Sequence, residues 1–320
     1  MNSAHFLNDT LGSFGFKIQN SYNCFSGSYQ YQNGWDLHLP QCDFDRQTLV
    51  VCHFQDFVTV KDNRCIELEK VEQHYGNHAH QVLVTHWTSD LHKIYNGPVS
   101  LTKFSNHNYD IANALAANFD QWRSLLNQPR THQWQCLNGR VCLHRQRAVD
   151  VLQSWSRGWL SLGTQMPLPN WGYETYVGCD NYRNFLNLAY VYGSAAVNIV
   201  TETEYEPPVG IVTEKTLFAI AAEQIPIVIG HRGIVQHCRD LGFDMFDDVV
   251  NTAYDHMPDD VRVEQALELN RDLIQGRIDL APYRSRLAAN REYLLWEFTQ
   301  RMERDFRVAA AQLAQKLSPA

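Results

Sequence analysis

VNIVTETEYEPPVGIVTEKTLFAIAAEQIPIVIG, residues 197–230, sets two short apolar runs on either side of an acidic loop and a helix start. Val197-Asn198-Ile199-Val200 is β-branched and predicts a strand. Thr201 to Glu204 falls where that strand ends. Thr213-Glu214-Lys215-Thr216 predicts the opening of a helix, and Ile225-Pro226-Ile227-Val228-Ile229-Gly230 predicts a second buried strand. In open α/β sheets, ligands bind beyond the carboxyl ends of the strands, often against helix N-termini. A lysine at such an N-terminus suits a phosphate. The neighbouring glutamates are acceptors suited to sugar hydroxyls.

Working outward, the same alternation recurs on both sides. Strands are predicted at 49–54, 82–87, 99–104 and 134–137, with helices at 64–75, 111–126 and 143–155. Gly76 is a stop for the first of these helices, and Asp110 is a cap for the second. The first forty residues, rich in Asn, Ser, Tyr, Gln and Gly, read as irregular structure or short edge strands. Residues 163–178, with Pro167, Pro169 and Gly172, read as a linker or long loop. Beyond residue 246 the chain reads as helical, over 261–275 and 281–317. Strands alternating with helices predict parallel, doubly wound sheets.

The 197–230 segment also resembles a known family. α-1,3-Fucosyltransferases of the GT-B fold carry a Glu-Asn-Ser stretch, then Tyr-Ile-Thr-Glu-Lys-Leu, an alanine-leucine helix and Val-Pro-Val-Val-x-Gly. Glu202 or Glu204 stands for the first glutamate, although the Asn-Ser after it is missing. Ile211-Val212-Thr213-Glu214-Lys215-Thr216 and Ile225-Pro226-Ile227-Val228-Ile229-Gly230 stand for the later blocks. The resemblance implies an α/β, GT-B-like fold with two Rossmann-like domains facing a cleft and a helical C-terminal extension. The expected division is an acceptor-side domain over 1–160, a donor-binding domain over 161–276 and a C-terminal helix over 277–320. The implied activity is an inverting glycosyltransferase, fucosyl- or hexosyltransferase-like, with a nucleotide-sugar donor, GDP-sugar favoured. The acceptor is a hydroxyl on a glycan or on a hydroxymethylated DNA base. The alternative is a sugar- or nucleotide-binding protein that keeps such a fold without turnover.

Composition narrows the field. With 320 residues, 44% hydrophobic and 19% charged, the chain is globular and long enough for two domains. Its net charge of −8 counts against nonspecific nucleic-acid binding. No apolar run reaches the roughly 18–20 residues of a membrane span, and the N-terminus lacks the pattern of a secretory signal. A soluble bacterial or viral enzyme of the cytoplasm is expected. The eight cysteines form no Cys-x-x-Cys pair, so no zinc ribbon or thioredoxin-type site is indicated. His74, His78 and His80 cluster in what reads as a loop. Asp43-Phe44-Asp45 has the metal-binding Asp-x-Asp form but precedes its strand, and is read as a loop. No P-loop occurs, and no metal or cofactor is expected.

Transfer from a sugar nucleotide needs cations or helix N-termini to steady the departing diphosphate, and a base near the acceptor hydroxyl. Lys215 is the first phosphate candidate. Arg145 is the second, since a guanidinium fits a diphosphate in bidentate fashion; Arg140 is placed to share that role. Asn138 and Arg145 resemble the family's Ser-Asn followed by an arginine, with Leu137 in place of the serine. By the same resemblance Glu202 and Glu204 touch sugar or ribose hydroxyls. Glu214 either joins them or favours its own helix dipole. Thr213 belongs to the same block, and Tyr205 is a candidate to stack on base or ribose. Strand-end placement offers Asp56 and then Asp90 as the base, with His53 and His86 as alternatives.

Overall fold

The computed structural model describes residues 3–23, 39, 41–45, 47–54, 60–61, 64–86, 91–127, 129–163, 181–203, 205 and 211–317. The chain forms two compact units. One comprises Met1–Asp110, Pro207–Ile211 and Thr299–Ala320; the other comprises Ile111–Glu206 and Val212–Phe298.

The first unit is built on strands β1 (Lys17–Asn23), β2 (Thr48–Phe54), β5 (Val82–His86) and β6 (Ser100–Lys103). They pair in parallel in the order β1-β2-β5-β6. A two-stranded antiparallel ribbon joins β3 (Val60–Lys61) to β4 (Arg64–Cys65). The run Val82-Leu83-Val84 is buried throughout, as a parallel sheet covered on both faces requires. Helix α2 (Ile66–Tyr75) contributes Leu68, Val71 and Tyr75, one face at helical spacing, to a core with Val50, Cys52, Val82 and Val84. It stops at Gly76, whose φ of 50° is the left-handed conformation glycine supplies cheaply.

The N-terminus holds the edge strand that the sequence reading allowed and a helix that it did not. Ser3–Ser13 is a helix, α1, and residues 17–23 form edge strand β1. Phe6, Leu7 and Leu11 of α1 are buried, a short 3.6-residue stripe hidden among polar residues. Asp110 also acts differently from expectation. It lies inside helix α4 (Asn106–Ala117) and receives the Ser3 amide at 2.7 Å and the Ser3 hydroxyl at 2.8 Å, closing the start of α1. The Asp-x-Asp stretch is a loop, with Asp45 accepting from Lys17 at 2.7 Å and from the Gln47 amide at 2.9 Å. His74 lies in the last turn of α2, while His78 and His80 lie on the following 3-10 turn.

The second unit carries β7 (His132–Asn138), β8 (Gly158–Leu162), β9 (Ala195–Thr201) and β10 (Ile225–Ile229), all parallel, in the order β10-β9-β7-β8. Because β7 pairs with β8 and β9, residues 111–160 belong to the second unit, and the boundary expected at 160 falls inside β8. Strand β8 was absent from the sequence reading because Gly158 and Gly163 make its surroundings look like loop. Helices α5 (Phe119–Leu126), α6 (Leu143–Leu152), α7 (Asn181–Asn187), α8 (Ala189–Ser194), α9 (Glu214–Ala221) and α10 (Ile234–Asp240) follow the chain between or beside these strands. A Cβ on Gly193 would come within 2.9 Å of the Leu126 carbonyl, so only glycine lets α8 lie this close to the end of α5. Phe185 stacks on Phe218 at 4.8 Å and meets Trp122 edge-on at 5.7 Å, joining helices that flank the sheet.

At the N-terminal edge of this sheet, Gln224 ties three elements together. Its amide nitrogen donates to the Tyr192 and Ala195 carbonyls, while its oxygen accepts from Gln135 and Asn198. All three amide residues are buried. Helices α11 (Arg262–Leu269), α12 (Arg271–Ile274), α13 (Arg284–Glu292) and α14 (Phe298–Leu317) complete the chain, with a π-helical turn over Tyr293–Glu297. From Thr299 onward α14 belongs to the first unit, where Phe306 packs edge-on against Phe6 and Phe104.

Candidate functional site

The chain runs from β7 outward to β8, then returns to place β9 on the other side of β7. This reversal is a topological switch point, where connections depart to opposite faces and leave a crevice at the carboxyl ends of the strands. Asn138 ends β7 and Thr201 ends β9. The Thr201 hydroxyl donates to the Asn138 side-chain oxygen. The Asn138 amide nitrogen donates to the Ser161 carbonyl at 3.1 Å, and the residue is 1% exposed. Asn138 therefore stitches β8, β7 and β9 together at the crevice floor, and its amide is engaged on both ends.

Helix α6 starts above that floor. Its cap residue, Cys142, makes no side-chain capping bond, and no acid occupies its first turn. Arg145 sits there instead, a cation at the positive end of a helix dipole. It is 3% exposed, and its Nη2 reaches the Thr201 and Glu202 carbonyls at 3.3 and 3.5 Å. Its Nε is buried with no hydrogen-bond partner. A buried guanidinium in a repulsive dipole with an idle donor is chemically suited to an anion. Arg140 lies exposed on the loop before α6.

His144 is the neighbour of Arg145 and reaches the Glu202 carbonyl through Nε2 at 2.9 Å. Since a carbonyl only accepts, Nε2 carries the proton. Burial pushes the His144 pKa down to about 4, and the charges of Arg145, Arg262 and Lys215 push the same way. The imidazole is neutral at physiological pH, and three cations share its surroundings.

Glu202 follows β9 and is fully buried. Its carboxylate accepts from the Thr213 amide at 3.0 Å, from the Thr213 hydroxyl, and from the Thr216 hydroxyl at 2.6 Å. The N-terminus of α9 is thus filled by a carboxylate of the chain itself, a favourable charge–dipole pairing. Glu202 is a structural anchor here, with no open face for the sugar hydroxyl expected of it. Asp255 does the same for α10: its carboxylate accepts from the Val235 and Gln236 amides at 3.1–3.3 Å, and burial raises its pKa. Lys215 directs its ammonium to Glu214 at 2.9 Å, Thr203 at 3.2 Å and Thr213 at 3.3 Å.

Tyr205 is 7% exposed and its ring is already in use. His144 stacks on it at 4.7 Å with planes 5° apart, and the Arg262 guanidinium lies 4.4 Å from its centroid. It has no free face for a nucleobase. Arg262, fully buried, donates to the Met257 and Tyr205 carbonyls, each at 2.9 Å, and forms an ion pair with Asp259; its Nε has no hydrogen-bond partner.

The structure therefore joins Asn138, Arg145, Glu202, Tyr205, Thr213, Glu214 and Lys215 into one network at one edge of one sheet. Glu204, Asp56 and Asp90 lie outside the described residues, as does the His53 side chain. His86 is fully buried in the first unit, its Nε2 3.1 Å from His92 Nε2. His144, Asp255, Asp259 and Arg262 were not singled out from the sequence. The last two carried a readable signal, an acid and an arginine three residues apart at a helix start.

Among the described residues no group of three or more His, Cys, Asp or Glu is arranged to hold a metal ion, and no helix is long and apolar enough to cross a membrane. Comparison with protein-family models, curated proteins and solved structures gives no match to this chain.

Proposed function

We propose that the chain is a glycosyltransferase of GT-B type, inverting, which takes a sugar from a nucleotide-sugar donor, GDP-sugar favoured, to a hydroxyl acceptor on a glycan or a modified nucleobase. The observation that supports the donor side is Arg145. It is a buried cation with an unpartnered donor, in the first turn of an uncapped helix, at a topological switch point. In such a crevice the diphosphate of the donor would satisfy the idle Nε, neutralise the cation and complement the α6 dipole. Lys215 reaches the same edge on α9. Its bonds to two hydroxyls and to Glu214 hold the ammonium in place to meet the leaving diphosphate.

Binding is tested by thermal shift and calorimetry with UDP-, GDP-, ADP- and CMP-sugars. One of these is expected to raise Tm. Arg145→Met is then expected to weaken it roughly 30-fold, about 2 kcal/mol for a charge-assisted pair, and Lys215→Ala by a smaller factor. Stabilisation by none of the four classes would overturn the reading. Turnover is tested by release of the nucleoside diphosphate with and without added acceptor.

A further inference from the structure

A cavity of about 630 Å³ opens at the amino edge of the second sheet, the end of the strands away from Asn138 and Arg145. It lies between α5, the end of α9 and α13, and Arg123, Arg130, Arg291, Asp120 and Glu223 all line it. Arg130 donates to the Ala196 carbonyl at 3.4 Å, the Ala222 carbonyl at 3.1 Å and the Glu223 carbonyl at 2.6 Å. These bonds close the end of α9 and leave the positive charge without a counter-ion. Desolvation where it packs and the like charge of Arg284 lower the Arg130 pKa. Arg123 also forms no ion pair among the described residues. Its guanidinium lies 5.3 Å from the Phe119 ring centroid, and that of Arg291 lies at the same distance from the same ring, so one aromatic side chain holds two of the arginines. Arg291 is the one with counter-ions, Glu223 and Glu292. Glu223 follows α9 with φ of 51°, where glycine or asparagine is usual, and its carboxylate is spent on Arg291. Asp120 sits in the first turn of α5, where the helix dipole favours an acid.

We infer that this cavity is a binding site for a small phosphate monoester, with Arg123 and Arg130 meeting the phosphate. Two guanidinium groups without counter-ions on the wall of one cavity gather positive charge that a single dianion neutralises. Their planar forks of donors match phosphate oxygens better than a lysine ammonium would. The Phe119 ring and the carbonyls at the end of α9 fix one arginine each, so little ordering is left for the ligand to impose. The volume exceeds that of phosphate itself and admits an organic substituent. The site lies at the opposite end of the strands from Arg145 and stands whether or not a nucleotide sugar binds there.

The test titrates glycerol 3-phosphate into the full chain by calorimetry, beside glycerol, succinate and sodium chloride at matched ionic strength. The parent is expected to bind glycerol 3-phosphate, and more tightly than succinate. Arg123→Gln/Arg130→Gln is expected to weaken that binding about tenfold or more, the worth of a hydrogen bond to a charged group. Arg145→Met is expected to bind it as the parent does. No binding to the parent overturns the proposal, and so does equal or tighter binding of succinate. Unchanged affinity in the double variant overturns it as well. A loss of binding in Arg145→Met would put the phosphate at the other end of the strands and overturn it, whatever the double variant does. Arg130 closes the end of α9, so the double variant is checked by circular dichroism. If it folds poorly, Arg123→Gln alone decides, since the contact of that guanidinium is the Phe119 ring. It is expected to weaken binding about fivefold, and unchanged affinity overturns the proposal.

Discussion

The two sheets have four parallel strands each and differ in order. In the first, β1-β2-β5-β6 follows the chain, so every crossover steps the same way. In the second the order reverses between β7 and β9, and a crevice follows from topology alone. Charge follows the reversal. Among the described residues the first unit buries no arginine or lysine, and its strand β5 ends in His86, which meets His92 of the short helix α3 (Leu91–Ile94). The second buries Arg145 and Arg262, with Arg145 on the Thr201 and Glu202 main-chain carbonyls. Burying charge costs folding energy unless it is paired, and these cations are only partly satisfied. That cost at the switch point of one sheet, absent from the other, is what the proposed donor site rests on.

The sharpest way to break this contrast is to remove the internal anion. Glu202→Ala leaves the Thr213 amide and two threonine hydroxyls without their acceptor in a fully buried place. A loss of about 4 kcal/mol is expected in denaturant unfolding, from several buried donors at once. A loss below about 1 kcal/mol would mean that water replaces the carboxylate and that this edge is not closed.

Acidification comes next. His144 has a folded pKa of about 4, below its ordinary value near 6.5. The unfolded chain therefore takes up a proton between these values while the folded chain does not. Stability is complete above about pH 6.5 and falls as pH drops toward 4, by at most about 3 kcal/mol from this group. His144→Gln removes this slope. Equal slopes for parent and variant between pH 6.5 and 4 would show that the ring is hydrated or freely protonated in the folded state. The cluster of cations around it would then be looser than the geometry describes.

Much of the second sheet was legible from its residues. β9 and β10 are rich in Val and Ile, and Thr213 opens α9 as a residue with an acceptor hydroxyl should. Asn138 and Arg145 came from the resemblance to the fucosyltransferases, and Lys215 from its place at a predicted helix start. Three things were hidden. β8 is short and framed by glycines, and its run Trp159-Leu160-Ser161-Leu162 carries no strand in the sequence reading. The switch in strand order has no signature in one sequence, and without it residues 111–160 were placed with the wrong sheet. The fate of Glu202 depends on Thr213 and Thr216, eleven and fourteen residues away, and a carboxylate engaged by its own chain reads the same as one open to a sugar.

The smallest effect concerns the joint between anchor and lysine. The Thr213 hydroxyl donates to Glu202, accepts from the Lys215 amide at 3.5 Å and lies 3.3 Å from the Lys215 ammonium. In the first unit α2 starts at Cys65 with no side-chain capping bond at all. Thr213→Ala makes the start of α9 resemble that of α2, and is expected to cost about 1 kcal/mol in stability, the usual worth of a cap. Thr213→Ser keeps the oxygen and should recover most of that loss. Because the hydroxyl also holds the ammonium, Thr213→Ala is further expected to weaken nucleotide-sugar binding by a factor of a few, with Thr213→Ser close to the parent. A stability loss without any change in binding would confine Thr213 to capping and detach Lys215 from the anion site, leaving Arg145 as the cation that separates the second sheet from the first.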